Sequence, residues 1–516
     1  MTGVVQTSHG AVSGRRSTGG TTFLGIPYGA DTGGANRFRP PQPVAPWEGV
    51  RDCVEYGPSC PQITVGEMTG QELTDDIEAL AGVWNRERVM SEDCLVLNVW
   101  TPQGGADSAT TAQRPVLVWL HGGGFATGSA SWPLYDFARL SSRGDVVVVS
   151  VNHRLGVLGF CDLSAHGDDV ADSGNVGMLD IVAALGWVHD NIAAFGGDPG
   201  NVTVFGESGG GAKITALLAM PAARGLFQQV FVMSGALLHG VDPDAARDIT
   251  RQLFDLLGVS DLAEFATVDV ASLIAASLRL PRRGRVVPMV PFSPTLGSSL
   301  PAHPIDAIRH GSASGVQAVV GCTSHEMLSF VGTQELWSLD EAGLIVRVER
   351  DLGADAARVL AAYRALRPDE SPASLYITIA SDQTMRVAHI RLAEALEAGG
   401  GPAPFCYLFS WGYPGPDGVV RSGHGTDMAF CFDTVAAAPA FAGPHAAPLV
   451  DAMSGALLGL AGRRDPATAG VPAWPAYTRA DRATMVIDVA SHMVPDPFGP
   501  ERGIWDDVGD AVLGIR

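Results

Sequence analysis

Short apolar runs rich in β-branched residues, each separated from the next by a longer stretch of helical periodicity, constrain this chain more than any other feature. Val116-Leu-Val-Trp-Leu120 and Val146-Val-Val-Val-Ser-Val151 show no polar alternation, the pattern of strands covered on both faces. Between Gly177 and Phe195, Leu179, Val182, Ala183, Leu185 and Val188 recur at helical spacing. Residues 201–205 predict another strand, 212–220 a helix, and 230–233 and 316–320 two further strands. Strands that alternate with helices predict an α/β fold with a mostly parallel central sheet, flanked by helices. Ligands in such sheets bind beyond the carboxyl ends of the strands. No repeat or low-complexity linker divides the sequence, and the small, polar stretch 104–113 reads as a surface loop. The 516 residues, 46% of them hydrophobic, therefore read as one domain, 1–516, enlarged by loop and helical insertions.

Chemistry is expected where these strands end. Directly after Phe205 stands Gly206-Glu207-Ser208-Gly209-Gly210, a G-x-S-x-G match between a strand and a helix. A sharp turn there pushes a serine oxygen out of the sheet, and the following helix directs its positive end at the site. In a chain with 63 glycines the pentapeptide alone is weak, and a structural turn is the plain alternative. Its strand-to-helix position makes Ser208 the candidate nucleophile. A second feature, His121-Gly122-Gly123-Gly124-Phe125, follows the strand at 116–120. Acyl transfer passes through an oxyanion that needs preorganised N–H donors, and a glycine run lets backbone amides approach it closely. Neither G-x-G-x-x-G spacing nor a Gly-Lys-Ser/Thr phosphate loop is present.

In hydrolases built on this elbow the chain order is serine, acid, histidine. His424 lies in the Gly-flanked segment Ser422-Gly-His-Gly-Thr-Asp-Met-Ala-Phe430, and Glu326 follows the strand at 316–320. Asp427, after the histidine and close to it in sequence, is the weaker acid candidate.

With these residues in view, the sequence resembles the type-B carboxylesterases, which include cholinesterases and bacterial para-nitrobenzyl esterases. The resemblance is carried by Phe23-Leu-Gly-Ile-Pro-Tyr-Gly29, Ser91-Glu-Asp-Cys-Leu-Val-Leu-Asn98, Trp119-Leu-His-Gly-Gly-Gly-Phe125, Asn152-His-Arg-Leu-Gly156, Asn175-Val-Gly-Met-Leu-Asp180, the block 195–210 and Trp474-Pro-Ala-Tyr477. It runs from about Val5 to Asp488 and implies the α/β-hydrolase fold and carboxylic ester hydrolysis. It further implies a triad of Ser208, Glu326 and His424, with backbone donors at Gly123, Gly124 and Gly209. Gly209 stands where the family usually has alanine, His325 where it usually has an acid, and Leu296 where it has an acidic residue. Ser234 and Glu207 match positions supporting the acid–histidine pair and the nucleophile; Trp84 and Phe125 are candidates for substrate contact. Cys60 and Cys94 bracket the Trp84 loop and resemble a pair disulfide-bonded in secreted relatives; reduced thiols are expected here.

A formal net charge of −21 argues against nucleic acid or an anionic membrane as partner and favours neutral or cationic small-molecule esters. Lys213 is the only lysine, which reads as a compositional bias rather than as chemistry. No signal segment, membrane span or metal-ligand motif is visible, so a cytoplasmic, cofactor-free hydrolase is expected. A lipase or amidase using the same triad, and a non-catalytic binding protein on the same fold, remain the alternatives; oligomeric state is not readable.

Overall fold

The computed structural model describes residues 2–64, 66, 67, 89–105, 113–284, 286, 287 and 289–514. Its strands, in chain order, are β1 (Thr2–Gln6), β2 (Ala11–Ser17), β3 (Gly20–Pro27), β4 (Val50–Asp52), β5 (Val96–Pro102), β6 (Arg114–Leu120), β7 (Val147–Val151), β8 (Gly197–Glu207), β9 (Gln229–Met233), β10 (Gln317–Thr323), β11 (Phe405–Phe409), β12 (Tyr413–Pro414), β13 (Val420–Arg421), β14 (Ala483–Ile487) and β15 (His492–Pro495). Thirteen form one sheet in the order β1-β2-β3-β5-β7-β6-β8-β9-β10-β11-β14-β15, with β4 paired to β2; β12 and β13 make a separate hairpin.

From β7 to β14 every neighbouring pair in this sheet is parallel, while the pairings outside that block are antiparallel except β2 with β4. Within the parallel block β7, β9, β10 and β14 are buried at every residue, because helices cover both faces. Observed bounds differ from the expected ones where pairing extends past the apolar run. β8 starts at Gly197 because Arg114 pairs with Gly197 across a register shift before Val116 meets Val202. β10 continues to Thr323 because Gly321 and Cys322 stay in register with Tyr407 and Leu408 of β11.

The expected helix at 177–195 is Val176–Asn191, followed by a 3-10 turn, Ile192–Phe195. The run Asp168–Phe195 is long and apolar enough to cross a membrane, but 56% of its most apolar stretch is buried in the fold. Met178, Ile181, Leu185 and Val188 of this helix belong to the main core cluster.

The same helix anchors the loop after β7. Arg154 donates to Asp180 through Nε (2.8 Å), Nη2 (2.6 Å) and its backbone N–H (3.0 Å), and both residues are fully enclosed. Two residues on, Gly156 N donates to Phe125 O at 2.7 Å, so the ion pair braces the glycine loop that follows β6. A buried pair adds little net stability over apolar packing, but removing one partner strands a charge in the core. We expect Asp180→Ala to cost about 3–5 kcal/mol, read as a marked drop in the denaturation midpoint. A midpoint within error of the parent's contradicts this view of the pair.

Candidate active site

Ser208 sits between β8 and the helix Gly209–Ala219 with φ 57° and ψ −121°, a left-handed backbone that a serine adopts only under constraint. Its N–H donates to Met233 O at the end of β9 (2.9 Å), which fixes the turn to the neighbouring strand. Ser208 lines a cleft of about 630 Å³ together with His424, Glu207 and the glycines Gly122, Gly123 and Gly124. The three sequence blocks carrying the elbow, the glycine loop and the histidine thus meet at one place.

Glu326, in the turn after β10, and His424, in the turn after β13, are buried and joined directly: His424 Nδ1 donates to Glu326 Oε2 at 2.5 Å. The Thr323 N–H donates to Glu326 Oε1 at 2.6 Å. Burial pushes the Glu326 carboxyl up. The charge of His424 and the hydrogen bonds from His424 and Thr323 outweigh it, and the net shift is downward, toward carboxylate. An ionised acid on Nδ1 leaves Nε2 as the reactive nitrogen. Ser234 directly follows β9 with φ 48°, and its buried hydroxyl is near enough to Glu326 to favour the carboxylate.

Among the described contacts no hydrogen bond joins Ser208 to the imidazole. The His424 Nε2 instead faces Glu207 Oε1 at 3.1 Å, a close ion pair poorly aligned for hydrogen bonding. Burial pushes Glu207 up to about 8, against the attraction of His424. For His424, burial favours the neutral ring, but the carboxylates of Glu207 and Glu326 prevail and raise its pKa. Both groups are thus pushed toward their protonated forms, and each shift depends on the charge of the other. Asp427 accepts from Tyr407 Oη at 2.9 Å and not from His424, so Glu326 is the acid partner in this geometry.

The glycine loop brings its amides against the start of the helix. Gly123 and Gly124 have φ of 85° and 61°, and neither their N–H groups nor that of Gly209 donates a hydrogen bond among the described residues. A Cβ on residue 209 would stand 2.2 Å from Gly124 O, so the alanine usual in relatives does not fit this spacing. The rest of the cleft is largely apolar, with Trp132, Met327, Phe330 and Met428, and carries polar groups at His239, Asp242, Arg283 and His303. No motif singles out these last four in the sequence.

One pocket expectation needs revision, and one falls outside the described residues. Phe125 does not line the cleft; it is 4% exposed, packs edge-on against Phe160 at 5.2 Å and lies beneath the Lys213 ammonium. The loop turns its side chain inward because its backbone, not its ring, faces the cleft. Trp84 lies outside the described residues. Cys60 and Cys94 are buried, free thiols, and the other cysteines are free as well. Among the described residues no group of three or more His, Cys, Asp or Glu side chains could hold a metal ion.

The Carboxylesterase family model matches residues 1–498. The para-nitrobenzyl esterase of Bacillus subtilis is 34% identical over 509 residues, covering 97% of each chain. The phenmedipham hydrolase of Pseudarthrobacter oxydans is 32% identical over 513 residues, covering 96% of this chain and 98% of its own. Among solved structures, carboxylesterase EST55 of Geobacillus stearothermophilus superposes with a TM-score of 0.84 at 35% identity, covering 98% of this chain and 100% of its own. With its α/β-hydrolase sheet and this full-length similarity, the chain belongs to the carboxylesterase family of serine carboxylic ester hydrolases.

Proposed function

We propose that Ser208, His424 and Glu326 carry out this ester hydrolysis by two-step acyl transfer on small to medium neutral esters. The observation that supports it best is the 2.5 Å bond from His424 Nδ1 to a buried Glu326 in the cleft that also holds Ser208. In the first step His424 Nε2 takes the Ser208 proton as the oxygen attacks the ester carbonyl. The N–H groups of Gly123, Gly124 and Gly209 receive the oxyanion, and the imidazolium returns the proton to the departing alcohol. Water then repeats the sequence on the acyl-enzyme and releases the acid. For this the ring turns from Glu207 to Ser208, which lines the same cleft; catalytic hydrogen bonds are often long or poorly aligned in the free enzyme and tighten on loading. The apolar walls and a volume of about 630 Å³ favour esters without charge near the scissile bond.

Initial rates on para-nitrophenyl esters from acetate to palmitate test this reading. We expect hydrolysis of the short chains, a decline toward palmitate, and loss of roughly 10⁴-fold or more of kcat in Ser208→Ala. Preference for emulsified long chains would favour a lipase, and inertness on every chain length would favour a binding protein.

The pH profile tests the histidine. The base is the neutral ring, so kcat/KM rises with pH as His424 loses its proton. Glu207→Gln removes one of the charges that hold that proton, so its ascending limb should move to lower pH. A limb that stays in place, or moves upward, contradicts the coupling.

A further inference from the structure

The one lysine in the chain is fully buried behind the glycine loop, on the helix that Ser208 opens. Lys213 Nζ donates to His121 O at 2.9 Å and to Gly124 O at 2.8 Å. The carbonyls between are held by other groups: Gly122 O accepts from His121 Nδ1 at 2.9 Å, and Gly123 O from the N–H groups of Ala126 and Thr127. Four consecutive carbonyls are thus tied down on the protein side. In a trans peptide an N–H points opposite to the C=O of the preceding residue, so the held Gly122 and Gly123 carbonyls leave the Gly123 and Gly124 N–H groups for the cleft, while Lys213 clamps the carbonyls on either side of that pair.

Gly209 points the same way. It precedes Lys213 by four residues, so both lie on one face of the helix. The atom a Cβ at 209 would strike is Gly124 O, the carbonyl that Lys213 holds. Loop and helix approach each other this closely because one residue supplies an ammonium and the other omits a side chain. Several groups face this ammonium. Glu207 attracts it, and the stacked rings of His121 and His153, 4.9 Å apart, flank the loop it binds; the charge of Lys213 helps to keep His153 neutral. Burial of the amine works against its charge and, despite Glu207, brings its pKa down to about 7.

We propose that Lys213 is a positioning residue for the oxyanion hole: its ammonium draws the His121 and Gly124 carbonyls onto the helix, thereby clamps on both sides the loop segment that presents the Gly123 and Gly124 N–H groups, and adds positive charge behind them. This rests on the acyl-transfer mechanism proposed above.

Because there is a single lysine, ¹³Cε-lysine labelling of the unaltered protein yields one side-chain signal. We would titrate it in the free protein and in the hemiketal adduct with a short alkyl trifluoromethyl ketone, which sets a negative oxygen in the hole. The midpoint, expected near 7 in the free protein, should rise by about one pH unit or more in the adduct. If esters are hydrolysed and the adduct forms but the midpoint does not rise, the role of Lys213 is overturned and the esterase mechanism stands. If neither hydrolysis nor adduct occurs, the mechanism fails and takes this role with it.

Lys213→Met, apolar and of similar length, supplies a second readout. Its kcat should fall by roughly 10²-fold with KM little changed, and its affinity for the ketone should fall in parallel. A folded Lys213→Met protein with the parent's kcat and ketone affinity overturns the proposal; where the variant does not fold, the labelled parent decides.

Discussion

Three backbone N–H groups from two separate segments can converge on one point only if nothing larger than a hydrogen atom stands between the segments. That steric demand organises this molecule around the contact between the loop after β6 and the helix Gly209–Ala219. The glycine loop, the residue after the serine and the helix face all give up side chains there, and a Cβ at 209 would lie well inside the contact distance of Gly124 O. What the contact loses in side-chain packing is replaced by polar ties: Lys213 to two loop carbonyls, and Gly156 N–H to Phe125 O from the far side. The second tie leads through Arg154 and Asp180 into the helix beneath the sheet. The loop is thereby held from both directions.

The charges that serve this contact are buried, and each is costly alone. Their arrangement offsets the cost: Glu326 lies on His424, His424 on Glu207, and Glu207 acts on Lys213, so acidic and basic groups alternate through the site. Asp427 breaks the alternation. Burial, with the nearby charge of Glu326, pushes its carboxyl up to about 7, which favours a proton on it, and Tyr407 supplies a hydrogen bond in place of a counter-ion. A chain of this kind makes each pKa depend on its neighbours. The protonation of His424 is accordingly a property of the group and not of the ring alone.

Much of this was legible before any coordinates. The parallel strands β6, β7, β8, β9 and β10 read clearly because burial on both faces leaves apolar runs, and the glycine loop and the elbow follow β6 and β8. β2 and β4 carry no such signal: the partly exposed β2 reads Ala-Val-Ser-Gly-Arg-Arg-Ser and the three exposed residues of β4 are Val-Arg-Asp. The Ser208, Glu326 and His424 candidates do meet in the structure, but which nitrogen faces which carboxylate depends on side-chain directions that spacing does not encode. Lys213 was passed over because its scarcity looked compositional. A charge set in Gly211-Ala-Lys-Ile-Thr-Ala216, with no polar face for it to occupy, was the available clue. Phe125 was misread for the converse reason: an aromatic residue beside a functional loop need not face the ligand when the loop works through its backbone.

The register of the sheet carries the remaining precision. Ser208 and Ser234 both follow the last residues of parallel strands and both have left-handed backbones, at φ 57° and 48°. Such conformations cost about 1–3 kcal/mol each and persist only where the surroundings over-determine them. Here the same device serves twice: Ser208 N–H donates to Met233 O on β9, and Ser234 N–H to Gly321 O on β10. Each strained residue hangs from the carbonyl of the next strand, and Glu207, Met233 and Gly321 are aligned across β8, β9 and β10. Two residues beyond Gly321, the Thr323 N–H holds Glu326. Ser208, Ser234 and Glu326 are therefore spaced by strand pairing, the stiffest ruler in the fold. A one-residue slip of β10 would move Glu326 by about 3.3 Å along the sheet, beyond the reach of His424.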